Sequence, residues 1–248
     1  MDPRIAVIDK RLEQIGKIIA VSGGKGGIGK SSVASMLALV LTRADKKIGL
    51  LDLDFCGPST HIILGIRDVY PTEDKGIVPP LVQKMRFMSI VFYAGDKPSP
   101  LRGTDLSNAI IELLSITQWG TLDFLIIDMP PGISDTTLDA IRLIRRTQFL
   151  NVSTPSKLAF ETVKKVLQMQ KELMLPIIGV IENMKGVDSV YIADAVKALR
   201  VPYLGSVSYD DRFESALGNV DDLVSTQFAA DMKHIVQHTD TFNVGKER

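Results

Sequence analysis

Cysteine is almost missing from this chain: Cys56 stands alone among 248 residues. A single thiol excludes an intramolecular disulfide framework, and it excludes any zinc or iron–sulfur centre built from this chain's thiolates alone. The reading is cytoplasmic. Surplus charge is missing as well. Lysine plus arginine and aspartate plus glutamate both number 29, so no bulk positive field favours nucleic acid or an anionic membrane. No apolar run approaches the roughly 18–20 residues that a spanning helix needs, so no transmembrane segment is expected. The opening "MDPRIAVIDKRLEQIGK" lacks a secretory leader pattern. Internal repeats and low-complexity linkers are also absent. One domain over 1–248 is expected, its core at about 17–238 between a short N-terminal extension and a polar C-terminal tail.

What the chain does have is buried strand material. Six short apolar runs begin at 17, 47, 123, 147, 176 and 201. Near-continuous apolar runs of this length fit strands covered on both faces, as in a parallel sheet between helices. Segments of helical spacing lie between them. The clearest, Leu158 to Leu173, places Leu158, Val163, Val166, Leu167 and Leu173 on one stripe, with Met169 and Met174 as core filler. Alternation of strand and helix predicts a doubly wound α/β fold with a mainly parallel sheet. Residues 54–104 interrupt it as an elaborated crossover rich in proline and glycine, with β-like runs at about 76–83 and 86–92. Near the end, "FAADMKHIVQH" is amphipathic without a strong basic face, which predicts packing against the body.

The chemistry concentrates in "GGKGGIGKSS". Gly24 to Ser31 matches G-x-x-x-x-G-K-[ST] directly after the first buried run and before a helical one. Such a loop turns its backbone N–H groups onto phosphate oxygens at the positive end of a helix. Gly24, Lys25, Gly26, Gly27, Ile28, Gly29, Lys30, Ser31 and Ser32 are therefore candidate ATP contacts. Lys30 would neutralise β- and γ-phosphate charge, and the Ser31 hydroxyl would ligate Mg²⁺. Ser32 would touch the α-phosphate.

A magnesium nucleotide also needs carboxylates at strand ends. "DFLIIDMPPG" supplies Asp128 for the metal, and Gly132 as a backbone contact to the γ-phosphate. "LLDLDFCGPS" supplies Asp52 and Asp54, two apart and so on one face of an extended chain. Asp54, farther out in the loop, is the candidate for orienting the attacking water and is grouped with Ser31 and Asp128 at the metal. Asp52 is read as a structural carboxylate. Asn183 offers one donor and one acceptor, the pair that an adenine edge requires. Ser208 and Tyr209 fall near the same base. Cys56 is read as a small semi-buried residue.

The stretches "GGKGGIGKS", "LLDLDFCGPS", "PLRG", "WGTLDFLIIDMPPG", "IGVIENM" and "VPYLGSV", in this order, resemble the Mrp family of MinD-type P-loop ATPases from about Lys17 to Asp211. The resemblance implies a dimeric ATPase, either a homodimer or a heterodimer with a related ATPase. It implies that Lys25 crosses to the partner subunit's nucleotide and that Asp54 polarises the attacking water. It also implies that Asp128 belongs to the second switch and that Asn183 bonds the adenine ring. Family members that carry iron–sulfur clusters place a C-x-x-C pair shortly after "ENM". Here "KGVDSVYIADAVKALRVPYLG" follows without a cysteine. No cluster is expected from this chain alone. The function so implied is a dimeric Mg-ATPase acting in cluster assembly or metalloprotein maturation beside a client or partner. Two other outputs stay open: a positioning ATPase whose bound partner is DNA, a membrane or a protein, with Arg142, Arg145 and Arg146 as a basic cluster, and an ATP-binding regulatory scaffold.

Overall fold

The computed structural model describes residues 2–94, 103–186 and 191–243. Its strands are β1 (Ile15–Gly23), β2 (Ile48–Asp52), β3 (Thr72–Glu73), β4 (Ile77–Val78), β5 (Leu81–Val82), β6 (Met85–Ser89), β7 (Leu122–Asp128), β8 (Thr147–Ser153), β9 (Ile177–Lys185) and β10 (Tyr203–Ser208). All but β3 and β4 form one sheet in the order β10-β9-β8-β1-β7-β2-β6-β5. Each pairing from β10 to β6 is parallel, and only β5 runs antiparallel at the edge. The six apolar runs are the strands β1, β2, β7, β8, β9 and β10. Two further members of the sheet, β5 and β6, come from the segment read as a crossover.

Strand alternation sorts the core into two faces. Ile19, Val21, Leu50, Phe124, Ile126 and Leu150 face the helices Lys30–Arg43 and Gln227–His238. Ile18, Ala20, Leu51, Leu125, Ile127 and Phe149 face the helices Arg4–Leu12, Thr104–Ile116 and Asp135–Leu143. Both faces of the sheet are therefore dry, which explains why its strands read as unbroken apolar runs. The amphipathic run near the C-terminus packs as expected, burying Phe228, Ala229, Met232, Ile235 and Val236.

Several expectations need correction. Helix Lys157–Glu172 buries Phe160, Val163, Leu167 and Gln170, whereas Leu158 is 72% exposed. At about 100° per residue Leu158 lies some 200° from Phe160, on the opposite side of the helix. Leu173 and Met174 follow the last helical turn and are also exposed, and Met174 is not core filler. Its φ of 53° turns the chain toward β9. The N-terminal extension is a helix that buries Ile8 and Leu12. Nor is the C-terminal tail wholly polar and free. Phe242 is buried with its ring centroid 6.3 Å from that of Phe124, and the Lys17 ammonium donates to the Thr241 carbonyl at 2.8 Å. Burial of one such ring contributes about 1.5–3 kcal/mol, enough to hold the segment down. In the "PLRG" motif, Pro100 to Arg102 lie outside the described residues.

One buried polar pair ties the sheet to a helix. Asn151 donates from Nδ2 to Gln170 Oε1 at 2.9 Å, and Gln170 Nε2 returns a bond to Asn151 Oδ1 at 3.1 Å, both side chains being fully buried. Gln170→Ala strands both polar groups of Asn151. A loss of about 1–3 kcal/mol is expected, read as a lower denaturation midpoint at unchanged m-value.

Candidate nucleotide site

The glycine-rich loop joins β1 to the helix Lys30–Arg43 at the carboxyl edge of the sheet. Gly24 lies against helix Lys157–Glu172, where a Cβ would come within 2.4 Å of the Thr162 carbonyl carbon. Only glycine allows that approach. Gly29 caps the following helix at φ 83° and ψ 28°, a left-handed turn that glycine makes without strain. No side chain caps this N-terminus. By contrast Ser134, Ser156 and Thr226 cap their helices through side-chain oxygens. The first-turn N–H groups of Lys30–Arg43 thus have no side-chain acceptor at the positive end of the helix dipole, which suits an anion.

The two loop lysines differ in setting. Lys30 is 6% exposed and lies near Asp128. Lys25 is exposed, beside the exposed Gly26 and Gly27, and makes no hydrogen bond or ion pair to any described residue. Ser31 and Ser32 are half-buried in the first helical turn. Ile28 is buried, and its carbonyl accepts from Asn183 Nδ2 at 3.0 Å.

Register places the carboxylates. Val21 and Asp52 both pair with Asp128, so Asp128 sits between the ends of β1 and β2. It is fully buried, and neither of its oxygens has a hydrogen-bond partner of normal geometry among the described residues. Burial above all, then the neighbouring Asp52, pushes its carboxyl well above the ordinary carboxylate range, against the pull of the Ser31 hydroxyl and the Lys30 ammonium. Asp52 is also fully buried, but it accepts from the N–H groups of Asp54 (3.0 Å), Ser59 (3.2 Å) and Thr60 (3.2 Å) and from the Thr60 hydroxyl (2.7 Å). Its bonds shape the loop. Burial still raises its pKa, the Thr60 and backbone bonds opposing the rise. Asp54 is half-buried in that loop and accepts from the Gly57 N–H at 3.1 Å.

Gly132 stands in a left-handed turn at φ 72°, its N–H donating to the Gly23 carbonyl at 3.0 Å. The group expected at a γ-phosphate is here bonded to the loop itself. Asn183 is 1% exposed, and with Nδ2 committed to Ile28 its Oδ1 is a buried acceptor without a partner among the described residues. Ser208 and Tyr209 lie farther out. The Ser208 N–H is bound to Asp231 at 2.8 Å, and the Tyr209 ring is 68% exposed although its N–H reaches the Lys185 carbonyl. Cys56 is exposed rather than semi-buried, because the loop turns outward after the buried Phe55.

A phosphate loop, a buried carboxylate pair and an inward asparagine at one sheet edge make a P-loop nucleotide site, and sequence comparison supplies the family. The family described as "ParA: NUBPL iron-transfer P-loop NTPase" matches residues 14–240. The chain belongs to this family. An iron-sulfur cluster carrier protein of Rickettsia conorii is 40% identical over 174 residues, which are 70% of this chain and 54% of that protein. This chain therefore spans about half the length of that carrier. A "Cytosolic Fe-S cluster assembly factor Nubp2 homolog" of Anopheles gambiae is 36% identical over 229 residues, covering 84% of this chain and 88% of the relative. Among solved structures, a nucleotide-binding protein of Archaeoglobus fulgidus in complex with ADP superposes with a TM-score of 0.74 at 26% identity, covering 97% of this chain and 96% of that one.

In this ParA-family NTPase the arginines of the basic cluster lie at the surface, each with a partner. Arg146 donates to the Leu12 and Ile15 carbonyls, Arg145 lies 3.9 Å from Asp9, and Arg142 lies 3.7 Å from Asp139. Arg146 braces the end of the N-terminal helix against β1, whereas the Arg142 and Arg145 ion pairs are solvent-exposed. Among the described residues no helix is long and apolar enough to cross a membrane. Sequence reasoning missed Ser59 and Thr60, which hold Asp52, and Thr162, which packs on Gly24. Their contacts cross seven residues or more, and no local pattern marks them.

Proposed function

We propose that this chain binds and hydrolyses ATP with magnesium as a dimer, with a second copy or a related ATPase, and that the cycle serves iron–sulfur cluster assembly or delivery. One observation carries the hydrolase reading: Asp128 is a fully buried carboxylate whose oxygens have no hydrogen-bond partner of normal geometry among the described residues, close to Lys30 and Ser31. A hard cation is what such a site lacks. Ser31 and Asp128, with Asp54 beside them, would hold magnesium, which when bound neutralises charge on the β- and γ-phosphates.

The chain's own groups do the rest. Lys30 binds the phosphates at the uncapped helix end. Asp54, anchored through Gly57 and through the loop that Asp52 organises, orients the attacking water. Lys25, exposed and without a partner among the described residues, would reach a nucleotide held by a second subunit. Asn183 reads the base with its remaining acceptor, Oδ1, which matches the exocyclic amine of adenine and opposes the carbonyl of guanine. For Gly132 to meet a γ-phosphate its N–H must leave the Gly23 carbonyl, so the second switch changes partner on ATP binding.

The cluster role rests on the names of the relatives and on family membership. Without a C-x-x-C pair, this chain would draw cluster thiolates from a partner. Phosphate release from Mg·ATP tests the hydrolase reading: Asp54→Asn is expected to lower it by about 10²–10⁴-fold while ATP still binds. Unchanged release would remove Asp54 from the reaction, and none in the wild type would favour a scaffold. Anaerobic co-purification, with iron and sulfide assayed, tests the cluster role. An iron-free assembly with no cysteine-bearing partner contradicts it.

A further inference from the structure

The chain has three histidines, and two of them stand four residues apart on helix Gln227–His238. That spacing puts His234 and His238 on one helix face. Both are exposed, and their ring centroids are 4.1 Å apart at an interplanar angle of 34°. His238 Nδ1 lies 2.8 Å from the His234 carbonyl oxygen. A carbonyl only accepts, so Nδ1 carries the proton and the neutral ring keeps its lone pair on Nε2. This is the bond that orients an imidazole ligand toward a metal, with one nitrogen tied to a carbonyl and the other left to coordinate. The pair also sits in the last turn, where the negative end of the helix dipole favours a cation.

Asp231, about one turn before His234 on the same helix, is already engaged. Asp231 accepts from the Ser208 N–H at 2.8 Å and from Gln227 Nε2 at 2.7 Å. Among the described residues no group of three or more His, Cys, Asp or Glu is placed to hold a metal. The histidines must therefore work as a two-ligand chelate. They are also remote from the nucleotide. His238 leads into the turn whose Thr241 carbonyl binds Lys17, and Lys17 lies six residues before Gly23 on β1, about 20 Å at strand rise.

We propose that His234 and His238 form a surface bis-imidazole site for one divalent transition-metal ion of borderline softness (Zn²⁺, Ni²⁺ or Cu²⁺), with water completing its shell. The ion would clamp the last turn of a helix that packs on the P-loop helix. The site is separate from the hard oxygen site at Asp128, and its ligands take no part in nucleotide chemistry.

Calorimetric titration of the full, chelator-treated chain with Ni²⁺ alone tests this, alongside His234→Gln and His238→Gln, which keep a helix-compatible polar side chain. One Ni²⁺ per chain is expected in the wild type, with affinity at least about tenfold weaker in each variant. A Ni²⁺-induced rise in melting temperature should appear in the wild type and vanish in both. ATP turnover in nickel-free buffer should be the same in all three proteins, which separates this site from the hydrolase reading. No stoichiometric binding in the wild type, or wild-type affinity in either variant, overturns the chelate.

Discussion

Lys25→Ala is expected to leave ATP binding intact and to lower phosphate release by about 10³-fold or more, the scale of a charge supplied in trans to a phosphoryl-transfer transition state. Lys30→Ala is expected to abolish binding. The contrast follows from where the lysines sit. Lys30 is buried at the start of the P-loop helix beside Asp128, where the proposed site would receive the phosphates. Lys25 is exposed and bonded to nothing among the described residues of its own chain. A group so placed adds little to ground-state binding within one subunit. Its effect belongs to the transition state, where loss appears in kcat and not in Kd. Equilibrium binding of a fluorescent ATP analogue together with single-turnover hydrolysis separates the two roles. Equal loss of binding in both variants would contradict them.

Asp128→Asn is expected to stabilise the nucleotide-free protein at neutral pH while removing magnesium-dependent binding. In the folded chain burial raises the Asp128 pKa well above its ordinary value of 3.8. The folded state then holds a proton that the unfolded state has released. Stability from this group is full below the unfolded value and is lost as pH rises through the folded one. Asparagine has no proton to lose, so the variant escapes that loss and melts above the wild type at neutral pH. Asp52, raised in the same direction, contributes pH dependence of the same sign in both proteins. With Mg·ADP the order reverses, because only the wild type gains ligand stabilisation. Thermal melts across pH, with and without Mg·ADP, check both halves. A variant less stable than the wild type when nucleotide-free would show that Asp128 has a protein partner.

Much of this was legible in residue pattern because the sheet is dry on both faces. Unbroken apolar runs marked β1, β2, β7, β8, β9 and β10, and the loop motif marked the nucleotide edge. What escaped depends on partners distant in sequence. Strand β6 falls on the β-like run expected at about 86–92, but only its pairing with β2 makes it part of the main sheet. Phe242 reads as a stray apolar residue in a polar tail until Phe124 lies beneath it. Leu158 looked like core because stripe membership was judged without knowing that Phe160 sets the buried face. At the site, residue types indicated roles for Asp52 and Asp54 but not the bonds that divide those roles. That Asp52 takes four donors from its own loop, while Asp128 takes none of normal geometry, is visible only in the fold. The Gly132 to Gly23 bond leaves no trace in sequence either, since it joins two backbones.

The central claim is that each complete site takes Lys25 from a second subunit, and subunit mixing tests it most directly. Lys25→Ala and Asp54→Asn chains are each expected to be nearly inactive alone. Mixed and exchanged, half of the two-fold dimers pair one chain of each kind, and each such dimer holds one site with both groups intact, giving about a quarter of the wild-type rate. Recovery to that level is the predicted result. A mixture no faster than the average of its two inactive parents would contradict the account.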